Sequence, residues 1–147
     1  MLNRRPASAQ AGSRRKYQDA LRIAAEQRAG VGPTAEKQLY ARILWFHRYD
    51  TSQDIDNIVK PILDALGGIW FHTDFQIAQC LATRIDIRET YEVVDTNMPD
   101  EVYDNLLALL NSAEADILYV EVGPIAWQRV VFGPIDGGHR DITGPVS

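Results

Sequence analysis

The sequence contains little cysteine, with one residue among 147, and it has no long apolar run. A single cysteine, Cys80, excludes an intramolecular disulfide framework and favours a reduced compartment. No apolar stretch approaches the roughly 20 residues that a membrane-spanning helix needs. The start MLNRRPASAQ lacks the apolar segment of a signal peptide. We therefore expect a soluble, cytoplasmic protein with no membrane partner.

Several common catalytic and metal-binding motifs are also absent. The chain has no glycine-rich phosphate loop and no GxSxG elbow, which excludes the P-loop nucleotide-binding proteins and the α/β-hydrolases that carry these motifs. An EF-hand loop that begins at Asp54 would need glycine at its sixth position and glutamate at its twelfth, where the chain has Val59 and Ala65. A phosphatase of the aspartyl-phosphate type is also disfavoured, because RYDTSQ separates the acids from the preceding apolar run.

Charge is distributed unevenly along the chain. The total is −5, but residues 1–48 hold ten Lys or Arg and three Asp or Glu, a net charge of +7. Residues 49–147 hold five basic and seventeen acidic residues, a net charge of −12. A basic segment beside an acidic cluster suits a phosphate backbone held on one side and a metal ion on the other. A solvated basic helix is the alternative, and charge alone does not decide between them.

The hydrophobic pattern predicts one domain over residues 1–125, followed by a flexible Gly/Pro-rich tail over residues 126–147. The run KQLYARILWFH is apolar on both faces, which is typical of a central strand. In LATRIDIR the alternation predicts one inward and one outward face. The inward face holds Leu81, Thr83, Ile85 and Ile87, and the outward face holds Arg84, Asp86 and Arg88. The predicted helices are SRRKYQDALRIAAEQRAG, the run from about residue 57 to 66, and MPDEVYDNLLALLNSAE; the predicted strands are KQLYARILWFHRYD, LATRIDIR and DILYVEV.

The first helix is predicted to begin after Ser13 and to end near Gly30. Its first turn holds Arg14, Arg15 and Lys16, where cations oppose the partial positive charge of the free amides. A bound anion would relieve this repulsion, and basic side chains beside free helical amides form a phosphate site. Solvation of the three charges is the alternative.

Acidic residues are concentrated in DIDNIVKPILDALGGIWFHTD, which runs from Asp54 to Asp74. A buried carboxylate must be paired, hydrogen-bonded or bound to a cation. Asp54 and Asp56 are two residues apart, so in an extended segment both carboxylates point the same way and could share one cation. Asp74 follows an apolar run that could return it to the same loop. Three carboxylates without His or Cys form an all-oxygen site, which favours Mg²⁺, with Mn²⁺ as the alternative, over zinc.

Simpler roles compete for these residues. Asp54, Asp56 and Asn57 are good capping residues for the helix that follows, and we expect one of them to cap it. Lys60 lies one turn after Asp56 and one turn before Asp64, so an ion pair with either aspartate is sterically available. A cap uses only one side chain, however. The second role open to Lys60 is to orient water or to stabilise charge that develops on a phosphate.

The segment DIDNIVKPILDAL, followed by TDFQ, resembles the motif of the RusA family of Holliday-junction endodeoxyribonucleases. That motif reads Asp-x-Asp-Asn with Lys three residues later, then Asp-Ala-Leu, then a second acidic site of the form Asp-x-Gln. PASAQ followed by a basic helix is similar to the family's N-terminal region, and DILYVEV is similar to its closing strand. The matching residues are Asp54, Asp56, Asn57, Lys60, Asp64, Ala65, Leu66, Asp74 and Gln76.

The resemblance implies an α+β fold, in which a small mixed β-sheet packs with about three helices in a single domain, and it implies a homodimer. It also implies Mg²⁺-dependent hydrolysis of DNA at four-way junctions, in recombination and repair. Asp54, Asp56 and Asp74 would hold the metal. Lys60 would assist catalysis beside them. The residues implied for binding the DNA backbone are Arg14, Arg15, Lys16 and Arg22.

Three features depart from the family pattern. Thr73 stands where members often carry an additional acid, which would weaken a second metal position. The N-terminal strand that usually precedes PxSxQ is nearly absent, and the predicted helix at residues 99–111 is an insertion relative to the shortest members. Two alternatives stay open: a nuclease of the same fold that acts on other branched or flapped DNA, and a non-catalytic DNA-binding module whose acids serve stability.

Overall fold

Helices and strands are interleaved along the chain. A computed structural model provides the structure, which describes residues 14–93 and 97–126, and only the backbone of residues 14–16. Ser13 and the predicted tail beyond Ala126 lie outside this part. No helix within it is long and apolar enough to cross a membrane. The elements are α1 (Arg14–Glu26), β1 (Leu39–His47), α2 (Asp56–Leu66), a 3₁₀ turn (Asp74–Gln76), β2 (Ile77–Asp86), α3 (Asp100–Leu110) and β3 (Asp116–Pro124).

β1 is the central strand of a sheet that has three strands in the described ranges, in the order β2, β1, β3. β2 runs parallel to β1, with Arg84 opposite Trp45, and β3 runs antiparallel to it, with Leu118 opposite Trp45. A central strand covered on both faces needs apolar residues at nearly every position. The structure thus confirms the central strand predicted from KQLYARILWFH, and it confirms an α+β fold with a small mixed sheet and three helices in a single domain.

Each face of the sheet carries an apolar core. On one face, α1 and α2 pack around Trp45 and Phe71, which are both 0% exposed. On the other face, Leu106 of α3 packs against Phe46 and Ile117. Trp45 and Phe71 are therefore core residues, and they are not available to stack on nucleic-acid bases.

The start of α2 differs from the sequence prediction. Its N-cap residue is Ile55, which has helical backbone angles and no side-chain capping hydrogen bond. The predicted cap by Asp54, Asp56 or Asn57 is therefore wrong. The helix begins at Asp56, whose charge in the first turn still favours the helix dipole without serving as a cap. Both aspartates keep exposed carboxylates that capping does not use.

Pro61 lies inside α2, in its second turn. A proline there has no N–H to donate to the carbonyl four residues earlier, which weakens the helix locally. The carbonyl of Pro61 accepts a hydrogen bond from Nε2 of Gln18 at 3.1 Å, so α1 and α2 are joined at this turn. The buried face of α2 also holds it on the sheet, because Ile58, Ile62 and Leu66 are each 0% exposed.

Two further predictions are wrong in detail. α1 ends at Glu26 and does not continue to Gly30, because residues 27 and 28 form a turn. Leu81 was predicted to face inward, but it is 43% exposed. The reason is that α3 covers only the part of this sheet face around Phe46 and Ile85, and the part around Leu81 has no helix over it in the described structure.

Candidate active site

The loop of residues 48–55, between β1 and α2, carries the first predicted acid and is held at both ends. The backbone N–H of Arg48 donates to the carbonyl of Ala115 at 2.8 Å, and its Nη2 donates to the carbonyl of Ser112 at 2.8 Å. Closer to Asp54, Nη1 of Arg84 in β2 donates to the carbonyl of Gln53 at 3.0 Å. β2 and the segment before β3 therefore both fix where this loop lies.

Asp54 and Asp56 are exposed, and neither carboxylate is engaged by another described residue. The segment that joins them is not extended, because Ile55 has φ −65° and ψ −36°. The argument that strand alternation directs both carboxylates to one side therefore does not apply. The two acids lie two residues apart at the start of α2, but the backbone does not direct both carboxylates to one side.

Lys60 connects α2 to the turn that carries Asp74. Its Nζ donates to Oδ1 of Asp64 at 2.5 Å and to Oδ2 of Asp74 at 3.2 Å. The first contact is one of the two i to i+4 ion pairs that the sequence allowed, the one with Asp64. The hydrogen bond that Lys60 donates to Asp64, followed by the one that it donates to Asp74, raises the pKa of Lys60 above its ordinary value. The amine is therefore protonated at neutral pH, so it serves as a cation and not as a base.

Gln76 fixes the turn that presents the third predicted acid. Its Oε1 accepts hydrogen bonds from the backbone N–H groups of His72 at 2.7 Å and Thr73 at 3.1 Å. Its Nε2 donates to the carbonyls of Thr34 at 3.1 Å and Glu36 at 2.6 Å. Both amide hydrogens and the amide oxygen are thus used. The glutamine of the Asp-x-Gln motif positions the aspartate that stands two residues before it.

The acids are not assembled into a complete metal centre. Within residues 14–93 and 97–126, no group of three or more His, Cys, Asp or Glu side chains is placed to hold a metal ion. The structure brings Asp74 to Lys60, but it does not group Asp74 with Asp54 and Asp56. The donor chemistry fits a hard cation, because carboxylate oxygens are the ligands that Mg²⁺ and Mn²⁺ prefer. For one ion to bind all three acids, they would have to come closer together.

A second ionic cluster beside the loop was not predicted from the sequence. Nη2 of Arg88 lies 2.5 Å from Oδ1 of Asp50 and 2.6 Å from Oδ2 of Asp86. Hydrogen bonds from Arg88 hold the pKa of the Asp86 carboxyl well below its usual range. Alternation in LATRIDIR places Asp86 and Arg88 on the same outward face, which is a signal for their pair. The contact with Asp50 depends on the tertiary fold and had no such signal.

Of the four basic residues predicted to bind DNA, the structure describes one side chain, that of Arg22. It is exposed on α1, outside the buried stripe of that helix. The side chains of Arg14, Arg15 and Lys16 lie outside the described part of the structure, although the backbone of all three belongs to α1. The predicted location of these residues in the first turn of a helix is confirmed.

A cavity of about 440 Å³ lies between α1, α3 and β3, and residues such as Leu21, Trp70 and Val102 line it. None of the predicted catalytic or metal-binding residues contributes to it. The residues that carry the candidate chemistry are instead exposed on the surface. A surface site suits an extended polymer such as DNA, whereas enclosed cavities are typical of small-molecule sites.

Comparison with known proteins adds an independent finding. The family model described as endodeoxyribonuclease RusA matches residues 5–96, which is more than half of the chain and includes Asp54, Lys60, Asp74 and Gln76. No curated protein matches the chain, and no solved structure does. The family match confirms the resemblance found in DIDNIVKPILDAL and TDFQ. The chain therefore belongs to the RusA family of endodeoxyribonucleases.

Proposed function

We propose that this member of an endodeoxyribonuclease family resolves four-way DNA junctions, by paired symmetric nicks that depend on Mg²⁺ or Mn²⁺. The observation that carries the proposal is the hydrogen bond between Lys60 and Asp74. It brings the two halves of the family motif together on one exposed surface, within a chain that the family model matches over both halves.

Asp54, Asp56 and Asp74 are the proposed metal ligands. All three are exposed carboxylates, so they can exchange water for a cation without first breaking a buried interaction. When bound, the metal supplies Lewis-acid stabilisation to the phosphodiester in the transition state. The anchored loop keeps Asp54 near the start of α2, and Gln76 keeps the turn of Asp74 in place.

Lys60 is the proposed electrostatic catalyst. Its amine is protonated, and its two carboxylate partners direct it toward the turn of Asp74. An ammonium held beside the acids can stabilise the negative charge that develops on a phosphate oxygen during hydrolysis. Asp64 lies on the same face of α2 and holds the ammonium by an ion pair, and this is the role that we propose for Asp64.

The proposed active form is a homodimer. A four-way junction has twofold symmetry and must be cut on two strands, so two copies of one site related by a twofold axis match it. β2 lies at the edge of the described sheet, and its residues 78–81 are exposed. An exposed edge strand of this kind favours pairing with another chain. Sedimentation velocity should give twice the mass of the chain, and a monomer at micromolar concentration would contradict the dimer.

The basic first turn of α1 and Arg22 are the proposed contacts to DNA phosphates, which would recognise the shape of the branch more than its sequence. The exposed, free thiol of Cys80 agrees with the proposed cytoplasmic location, where thiols stay reduced.

The test of this function is cleavage of a labelled four-way junction in competition with a flap and a linear duplex. Symmetric paired nicks in the junction are the expected result. Preferential cleavage of the flap would favour the alternative nuclease of the same fold. Tight binding of the junction without cleavage under any Mg²⁺ or Mn²⁺ concentration would favour the non-catalytic DNA-binding module.

A further inference from the structure

Phe75 is the most exposed aromatic residue in the described parts of the chain, with 93% of its surface accessible. It stands between Asp74 and Gln76 in the 3₁₀ turn, so it is the immediate neighbour of a proposed metal ligand. A phenylalanine in this position loses the hydrophobic stabilisation that burial would give it. An aromatic side chain left exposed beside a candidate active site is a common way to contact a ligand.

The fold holds the turn that carries Phe75 on both sides of this residue. On one side, Gln76 makes two hydrogen bonds to backbone amides before the turn and two to backbone carbonyls of residues 34 and 36. On the other side, Asp74 is bonded to Lys60 at 3.2 Å. These contacts fix the position of the backbone that carries the ring.

The surroundings of Phe75 identify the kind of group that would cover it. Phe75 follows Asp74 directly in the chain, so their Cα atoms are about 3.8 Å apart. A phosphodiester that reaches Lys60 and Asp74 therefore has its nearest nucleotides beside Phe75. Every base has an aromatic face, and base stacking on an aromatic side chain tolerates any sequence. Intact duplex keeps its bases stacked on one another, whereas a branch point exposes them at lower cost.

We propose that Phe75 stacks on an unstacked nucleobase at the branch point and thereby favours branched DNA over duplex. This inference rests on the proposed function, since it takes the DNA to lie at the Lys60–Asp74 pair. Phe75 contacts the substrate next to the site of hydrolysis and takes no part in the chemistry. Its contribution is to the selection of the DNA structure.

The test measures binding without metal, by fluorescence anisotropy in EDTA, so that it does not depend on cleavage. Phe75→Ala should weaken binding to the four-way junction about tenfold and should change binding to linear duplex less than about twofold. Phe75→Trp should keep the preference for the junction, and its added fluorescence should be quenched by junction and not by duplex. Val31→Ala is the matched control, because Val31 is also fully exposed but lies outside the site.

Two results would contradict the inference about Phe75 without contradicting the proposed function. One is an unchanged ratio of junction to duplex affinity in Phe75→Ala while the wild-type protein still cleaves junctions. The other is a loss of the dimer in Phe75→Ala, seen by sedimentation velocity, which would make Phe75 an interface residue. A wild-type protein that does not prefer the junction to duplex would overturn the proposed function as well. A wild-type protein that prefers the junction without cleaving it, with the preference lost in Phe75→Ala, would support stacking and contradict catalysis.

Discussion

Nζ of Lys60 lies 3.2 Å from Oδ2 of Asp74, and this hydrogen bond joins residues that are 14 positions apart in the chain. Lys60 belongs to the second turn of α2, and Asp74 belongs to the 3₁₀ turn that precedes β2. The contact makes one surface out of two halves of a sequence motif. It also couples the charge of the lysine to the acid that we propose as a metal ligand.

Replacement of Lys60 should lower the rate of cleavage without lowering the stability of the fold. Lys60→Met should lower the rate of junction cleavage by about 10²- to 10³-fold, because the transition state loses a preorganised cation. Its melting temperature should stay close to that of the wild type, since the side chain is exposed. Lys60→Arg should recover part of the activity. Lys37→Met, at another exposed lysine, is the control and should cleave normally. Full activity in Lys60→Met would show that the cation is not required.

Gln76→Glu should destabilise the turn that presents Asp74. The glutamate still accepts hydrogen bonds from backbone amides but cannot donate to the carbonyls of residues 34 and 36. We expect a loss of about 1–3 kcal/mol in the free energy of unfolding, measured with urea. Gln27→Glu, in the exposed turn that follows α1, is the matched control, with an expected change within about 0.5 kcal/mol. Equal stability of the two variants would show that the hydrogen bonds of Gln76 contribute nothing.

Arg84 should act as a positioning residue for the loop of Asp54. Arg84→Ala removes the hydrogen bond to the carbonyl of Gln53 and should cost less than about 1 kcal/mol of global stability. Hydrogen exchange at the amides of residues 51–55 should accelerate, and the Mg²⁺ concentration needed for half-maximal cleavage should rise. Arg84→Lys should restore part of both, because lysine can still donate to that carbonyl. Unchanged exchange in Arg84→Ala would contradict this role.

Arg22→Gln should remove one phosphate contact. Affinity for the junction should fall, and the slope of log Kd against log salt should become smaller by about one, for junction and duplex alike. Arg28→Gln is the matched control, because the guanidinium of Arg28 is already paired with Glu101 at 3.3 Å. A salt dependence that is unaltered in Arg22→Gln would place the DNA on another face of the protein.

The sequence predicted the sheet and helices well, because their patterns are local. β1 is apolar on both faces and proved central, and the i to i+4 spacing of Lys60 and Asp64 proved to be an ion pair. The cap of α2 was predicted wrongly because propensity favours aspartate, whereas the position that the fold assigns to the cap is occupied by Ile55. The prediction that Leu81 faces inward is wrong because alternation identifies a face of the sheet but not whether a helix covers it.

The periodicity of the sequence could not predict the tertiary contacts of the site. The sequence identified Gln76 as part of a motif, but the two hydrogen bonds that its amide donates depend on where the segment of residues 34–36 passes. The anchoring of residue 53 by Arg84 and the pairing of Asp50 with Arg88 likewise depend on the meeting of distant segments. The sequence identified which residues carry the chemistry, and the fold determines which residues hold them in place.

The most direct test of the central claim is cleavage of a four-way junction with Mg²⁺ by the wild-type protein and by Asp74→Asn, with junction binding measured in parallel. Asp104→Asn, at an exposed acid of α3, serves as the control for loss of one charge. We predict paired symmetric nicks by the wild type and the control, and binding without cleavage by Asp74→Asn. Cleavage by Asp74→Asn at the wild-type rate would contradict the assignment of the active site to the surface that Lys60 and Asp74 form.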